Sequence, residues 1–168
     1  MGVFLTVLLL AGIVFTLILI MRQRDFASVG VVRNISHKLK GHSLSTNYWQ
    51  AGMALFTANA ALFALAFVIL FFLPYGAVVG LLMCIPLSLF TWVIFAEVWR
   101  GSWKDKVKIV FIGSSFFLLF LGWILWYYAT LEPAYPGDDL FMVWIGVIIA
   151  SIFTIGAMSV SMFVILRK

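Results

Sequence analysis

Very few side chains in this sequence could do chemistry inside an apolar environment, and they are spread over two segments. Asn59 stands near the middle of an uncharged run from Gln50 to Leu73. Pro86, Ser88 and Thr91 lie within the apolar run from Ala77 to Val98, which ends on Glu97 and Val98. An amide at that depth hydrogen-bonds across helices or contacts a substrate. A proline in mid-helix frees a backbone carbonyl, the device by which transporters build sites in broken helices, although proline is also ordinary in membrane helices. A carboxylate within a span is a functional group by default. Glu97, however, is one turn from the end of its run with Arg100 at i+3, so an interfacial ion pair is the plainer expectation. Asn59, Pro86, Ser88, Thr91 and Glu97 are therefore the candidate intramembrane polar or transport residues.

Other chemistries lack their groups. No nucleophile is paired with a base, no two carboxylates share an apolar run, and no glycine loop could cradle phosphate. His37 and His42 are the only histidines and both lie in a basic segment, so no apolar run offers an axial haem ligand. An i, i+5 histidine pair without neighbouring cysteine or carboxylate reads as two solvated side chains. Cys84 is the single cysteine, which excludes an intrachain disulfide and a dithiol redox centre. Glu132, Asp138 and Asp139 are too few oxygen donors for a hard cation. The two aspartates fit better at the positive end of a following helix. No cofactor or metal is expected.

The elements that carry these residues are membrane helices. Hydrophobic residues make up 65% of the 168-residue chain and charged residues 10%, against about half and about a quarter in soluble domains. A helix needs about 20 apolar residues to cross the hydrocarbon, and five runs fit: 3–20, 50–73, 77–98, 109–129 and 140–166. Continuous runs of this length exclude barrel strands of about ten alternating residues. The expected fold is an all-α integral membrane protein, a bundle of five transmembrane helices forming one polytopic domain.

Orientation follows from charge. Arg22, Arg24, Arg33, Lys38, Lys40, Arg100, Lys104, Lys106, Lys108, Arg167 and Lys168 are all eleven basic residues, and every one falls between or after spans on the same side. Positive segments stay cytoplasmic, so the N-terminus is expected outside and the C-terminus inside. The first run has its basic residues behind it, the reverse of a signal peptide, and is expected to remain as an anchor. Tyr48, Trp49, Trp99 and Trp103 fall at the inner boundary, and Tyr75, Trp126, Tyr127, Tyr128, Tyr135 and Trp144 near the outer one. The topology also puts Asn34-Ile35-Ser36 in the cytoplasm, where the glycosylation motif is irrelevant.

The segment 21–47 is the only sizeable soluble stretch. Val29, Val32, Ile35 and Leu39 have roughly helical spacing, and Gly30 and Gly41 limit the length of a helix here. They predict a short helix on the cytoplasmic leaflet, with Lys38 and Lys40 against anionic headgroups. Asn47 followed by Gln50 predicts a helix start. In the last span Gly146, Ala150, Thr154, Ala157 and Ser161 form a small-residue stripe, and Ala54, Ala58 and Ala61 form another in the second. Both allow close helix approach, so the first of these is the expected packing surface.

The functional expectation is a non-enzymatic accessory, regulatory or immunity-type subunit working through helix contacts with a membrane-protein partner or further copies of itself, in a plasma membrane, expected to be bacterial, without nucleic acid. A small oligomeric transporter or channel is the alternative, and an intramembrane lipid-modifying enzyme comes third.

Overall fold

The computed structural model describes residues 30–73, 76–133 and 140–167, together with Val14, Leu17, Ile18, Met21, Arg22 and Asp25. The run 3–20, the Pro74-Tyr75 turn and the pair Asp138-Asp139 lie outside these apart from Val14, Leu17 and Ile18. Among the described residues the chain is helical and has no strand. The elements are α1 (Gly30–Leu39), a 3-10 turn (Ser43–Ser45), α2 (Tyr48–Phe72), α3 (Gly76–Val98), α4 (Trp103–Thr130) and α5 (Phe141–Leu166).

The helix ends have local causes. Asn47 caps α2: its side-chain oxygen accepts from the N–H groups of Trp49 and Gln50 at 3.0 and 3.4 Å, as its spacing predicts. At the other end Leu73 is extended, the conformation imposed on a residue that precedes proline. Ser102 caps α4 by accepting from Asp105 N–H at 3.2 Å while its hydroxyl donates to Asp105 Oδ2 at 2.8 Å. This cap starts α4 six residues before the apolar run that begins at Ile109. Helix α3 continues through Pro86, as membrane helices do when neighbours and local adjustment compensate for the lost hydrogen bond.

Three helices, Tyr48–Phe72, Trp103–Thr130 and Val143–Leu166, are long and apolar enough to cross a membrane. They mark the chain as a membrane protein. In α3 the described apolar stretch is the shorter Met83–Val98. The structure therefore supports three of the five expected spans by length and composition. The outward faces agree with a lipid surrounding: Phe71, Phe72, Leu119, Ile152 and Trp126 are each more than 60% exposed, a density of large apolar groups that water does not tolerate over a contiguous surface.

The four long helices pack in a ring. Helix α2 lies against α3 and α4, and α5 lies against the same two. The tight core gathers at one end, from Ala51 and Leu55 of α2, Trp92 and Val93 of α3, Ile109 and Val110 of α4, and Val164 and Ile165 of α5. Helix α1 closes this end against α3. Its Val32 is 1% exposed and belongs to the core, while Ile35 is 40% exposed. The expectation that Val32 and Ile35 share a lipid-facing side is corrected here. Val32 and Ser36, at i and i+4, turn inward together, and Ile35 points away.

Candidate functional site

The centre of the bundle is organised around Asn59, which is 3% exposed. Its Nδ2 donates to the carbonyl of Gly113 on α4 at 3.0 Å, and its Oδ1 accepts from Trp92 Nε1 on α3 at 3.0 Å. The chemistry allows one arrangement only: an indole N–H donates and a carbonyl accepts, so the amide oxygen must face Trp92. One side chain thus ties three helices. In hydrocarbon each unpaired polar group would cost several kcal/mol, on the order of a lost backbone hydrogen bond, so the network is stable only as a complete set.

Two glycines make the network reachable. A Cβ on Gly113 would run into the Leu55 side chain, and one on Gly52 would lie 2.7 Å from Ile112 Cβ. Helices α2 and α4 therefore approach through reciprocal gaps, a bare Cα on each receiving a branched side chain from the other. Lipid gives little hydrophobic drive for helix association, so this close van der Waals approach supplies it. Above the network the same two helices are joined by rings: Phe63 meets Phe116 at 5.5 Å and Phe120 at 4.3 Å, both edge-on.

A second polar contact joins α4 to α5. Ser114 and Ser161 are both fully buried, with their oxygens 2.9 Å apart. Ser161 gives its hydroxyl proton to Met158 O at 2.8 Å, so Ser114 is the donor between the two.

The candidates read from sequence are distributed unevenly about this centre. Asn59 is at its heart. Thr91 donates to Leu87 O within its own helix at 2.9 Å, and Ser88 and Pro86 are half-buried on α3. Glu97 is half-buried in the last turn of α3. Arg100, its expected partner, is exposed, and its backbone N–H donates to Ser45 O at 3.2 Å. Along α5, Thr154 is buried and donates to Ala150 O, while Ala150 and Ala157 are half-buried. Gly146 has no described atom within 4 Å of where its Cβ would be. The stripe is thus part inside and part outside the described bundle, and α2 and α4 meet closely at Gly52 and Gly113. Lys38 is exposed on α1 and Lys40 is half-buried just beyond it.

Trp92, Gly113, Ser114 and Leu55 carry roles that sequence reading did not assign. One signal existed: a tryptophan inside an apolar run needs an acceptor for its N–H, and Asn59 is the obvious one at matching depth. With this geometry in view, comparison with known proteins adds no relative: no family model, curated protein or solved structure matches the chain.

Proposed function

We propose that this protein is a non-enzymatic membrane subunit, accessory, regulatory or immunity-type, that acts by presenting helix faces to another membrane protein. The observation that carries the reading is how the central polar groups are used. Both ends of the Asn59 amide, the Trp92 N–H and the Ser114 hydroxyl are engaged with other helices, so the best-placed intramembrane amide works as an internal tie. Five spans with the N-terminus outside and the C-terminus in the cytoplasm complete the proposal. They are supported by the one-sided distribution of all eleven basic residues. In that arrangement the α1 end of the bundle faces the cytoplasm, and Lys38 and Lys40 meet anionic headgroups of a plasma membrane.

Helix α5 is the favoured partner surface. Gly146 and Gly156 meet no described atom within 4 Å, and Ile148, Ile149, Ile152 and Ile155 are exposed beside them. Purification in mild detergent should recover a second polypeptide in fixed stoichiometry. Gly146→Leu should lower that recovery while changing the stability of the isolated chain by no more than about 0.5 kcal/mol, the usual range for outward-facing positions. Recovery of a clean homo-oligomer, with the same yield for Gly146→Leu, would overturn the subunit reading in favour of a pore.

A further inference from the structure

Beside the close contact of α2 and α4 at Gly52 and Ile112, toward the N-terminal ends of both helices, lies a groove of about 310 Å³, lined by Trp49, Met53 and Phe56 on one side and Phe111, Ile112 and Ser115 on the other. Gly52 sets its floor, because the absent side chain lets Ile112 sink against α2. The groove has two distinct ends. Toward the bundle centre it is closed where Phe56 meets Phe116 edge-on at 5.7 Å. Toward the helix starts, one turn before Ile112, stands Lys108, whose Nζ lies 4.6 Å from the centre of the Tyr48 ring and 2.9 Å from Asp105 Oδ1.

Register extends this charged end. Lys104, Lys108, Ile112 and Ser115 follow one another at i, i+4, i+8 and i+11, so both lysines stand on the face of α4 that walls the groove. Both are exposed. Trp49, 58% exposed, contributes an amphipathic ring at the same level, the position such rings take among headgroups. From Tyr48 to Phe56 the helix advances about 12 Å, close to half of the roughly 30 Å hydrocarbon core. The interior wall is apolar in effect, since the Ser115 hydroxyl is spent on Ile112 O at 2.6 Å.

We propose that this groove is a binding site for one anionic phospholipid, an acyl chain lying between α2 and α4 and the phosphate held by Lys104 and Lys108. A lysine ammonium has three donors, so Lys108 keeps Asp105 and still reaches a phosphate oxygen. The groove runs along about 12 Å of helix, most of one leaflet, and the described charges at its mouth are cationic in net terms, two lysines against one aspartate. A zwitterionic lipid would gain the chain contacts without that attraction. The site rests on the membrane reading above and on α2 and α4 starting at a headgroup layer.

The test is native mass spectrometry of the full chain in detergent, titrated with phosphatidylglycerol or with phosphatidylcholine of the same acyl chains. Phosphatidylglycerol should be retained preferentially. Lys104→Gln with Lys108→Gln should weaken it by about tenfold to thirtyfold, since each basic residue near an anionic surface contributes about 1 kcal/mol and 1.4 kcal/mol is tenfold. Phosphatidylcholine binding should not change. Ser115→Phe should fill the groove and lower retention of both lipids. A six-carbon-chain phosphatidylglycerol should bind more weakly than a fourteen-carbon one, which tests the groove without any substitution. Arg33→Gln with Arg167→Gln, two exposed cations on α1 and at the end of α5, should have no effect. Equal retention of the two lipids, equal affinity for short and long chains, or equal loss from the Arg33 and Arg167 pair would each overturn the proposal. A micelle has no inside, so a reversed topology would leave all of these results intact and would fail separately.

Discussion

Gly113→Val should be the most damaging single substitution in the described bundle. The Cβ alone would occupy the place of the Leu55 side chain, and two further methyl groups have nowhere to go, because Leu55 is itself fully buried. Overpacking of this kind costs about 1–3 kcal/mol. Here relief requires α2 and α4 to separate, which also lengthens the Asn59 to Gly113 hydrogen bond. The thermal midpoint of the detergent-solubilised protein should fall by roughly 5–10 °C. Gly52→Ala should act in the same direction through Ile112. Gly122, with no described atom within 4 Å of its Cβ position, is the control: Gly122→Ala should be neutral or stabilising by up to about 1 kcal/mol, the difference in helix propensity. A midpoint for Gly113→Val equal to that for Gly122→Ala would mean that α2 and α4 do not meet at this point.

Asn59→Leu should be nearly as costly, for a different reason. The branched shape is kept in a somewhat bulkier side chain, but the Trp92 N–H loses its acceptor while still buried. Leaving a buried donor unpaired costs about 1–3 kcal/mol, whereas hydrogen bonds between membrane helices contribute about 0.6 kcal/mol on average when both partners are considered. The two figures separate in a double-mutant cycle. Trp92→Phe removes the donor, so in the Asn59→Leu background it should cost less than in the wild type, with a coupling energy above about 0.5 kcal/mol. Additive effects would show that the two side chains act independently and would contradict the hydrogen bond.

These two positions show what the sequence displayed and what it withheld. Features decided by neighbouring residues were legible. Asn47 caps α2 because its side chain reaches amides two and three residues on, and α1 ends at Leu39, short of Gly41. The described apolar runs 50–73, 77–98, 109–129 and 140–166 are helical, and α4 starts earlier than its run because Ser102 caps it. The inward faces were not legible. Helices α2 and α3 are apolar on every side, and in a bilayer the outside is as apolar as the inside, so periodicity does not separate lipid from neighbour. Asn59 could be singled out as the one amide at depth, but its partners are 33 and 54 residues away. The small-residue stripe on α5 was conspicuous because it is regular. The close approach at Gly52 and Gly113 uses one glycine per helix and leaves no pattern along either. Helix α1 turned Val32 inward because the open end of the bundle offered it a packed site, a feature of the assembled fold with no trace in the segment itself.

The proposed topology is the frame on which the subunit reading and the cytoplasmic position of α1 depend. It is tested most directly by cysteine labelling in intact cells, in a Cys84→Ser background, with a thiol reagent that does not cross membranes. Gly137→Cys should react without permeabilisation, and Gly41→Cys should react only after it, as five spans with all basic residues inside require. Labelling of Gly41→Cys in intact cells, with Gly137→Cys protected, would contradict the account and place the basic end of the bundle outside.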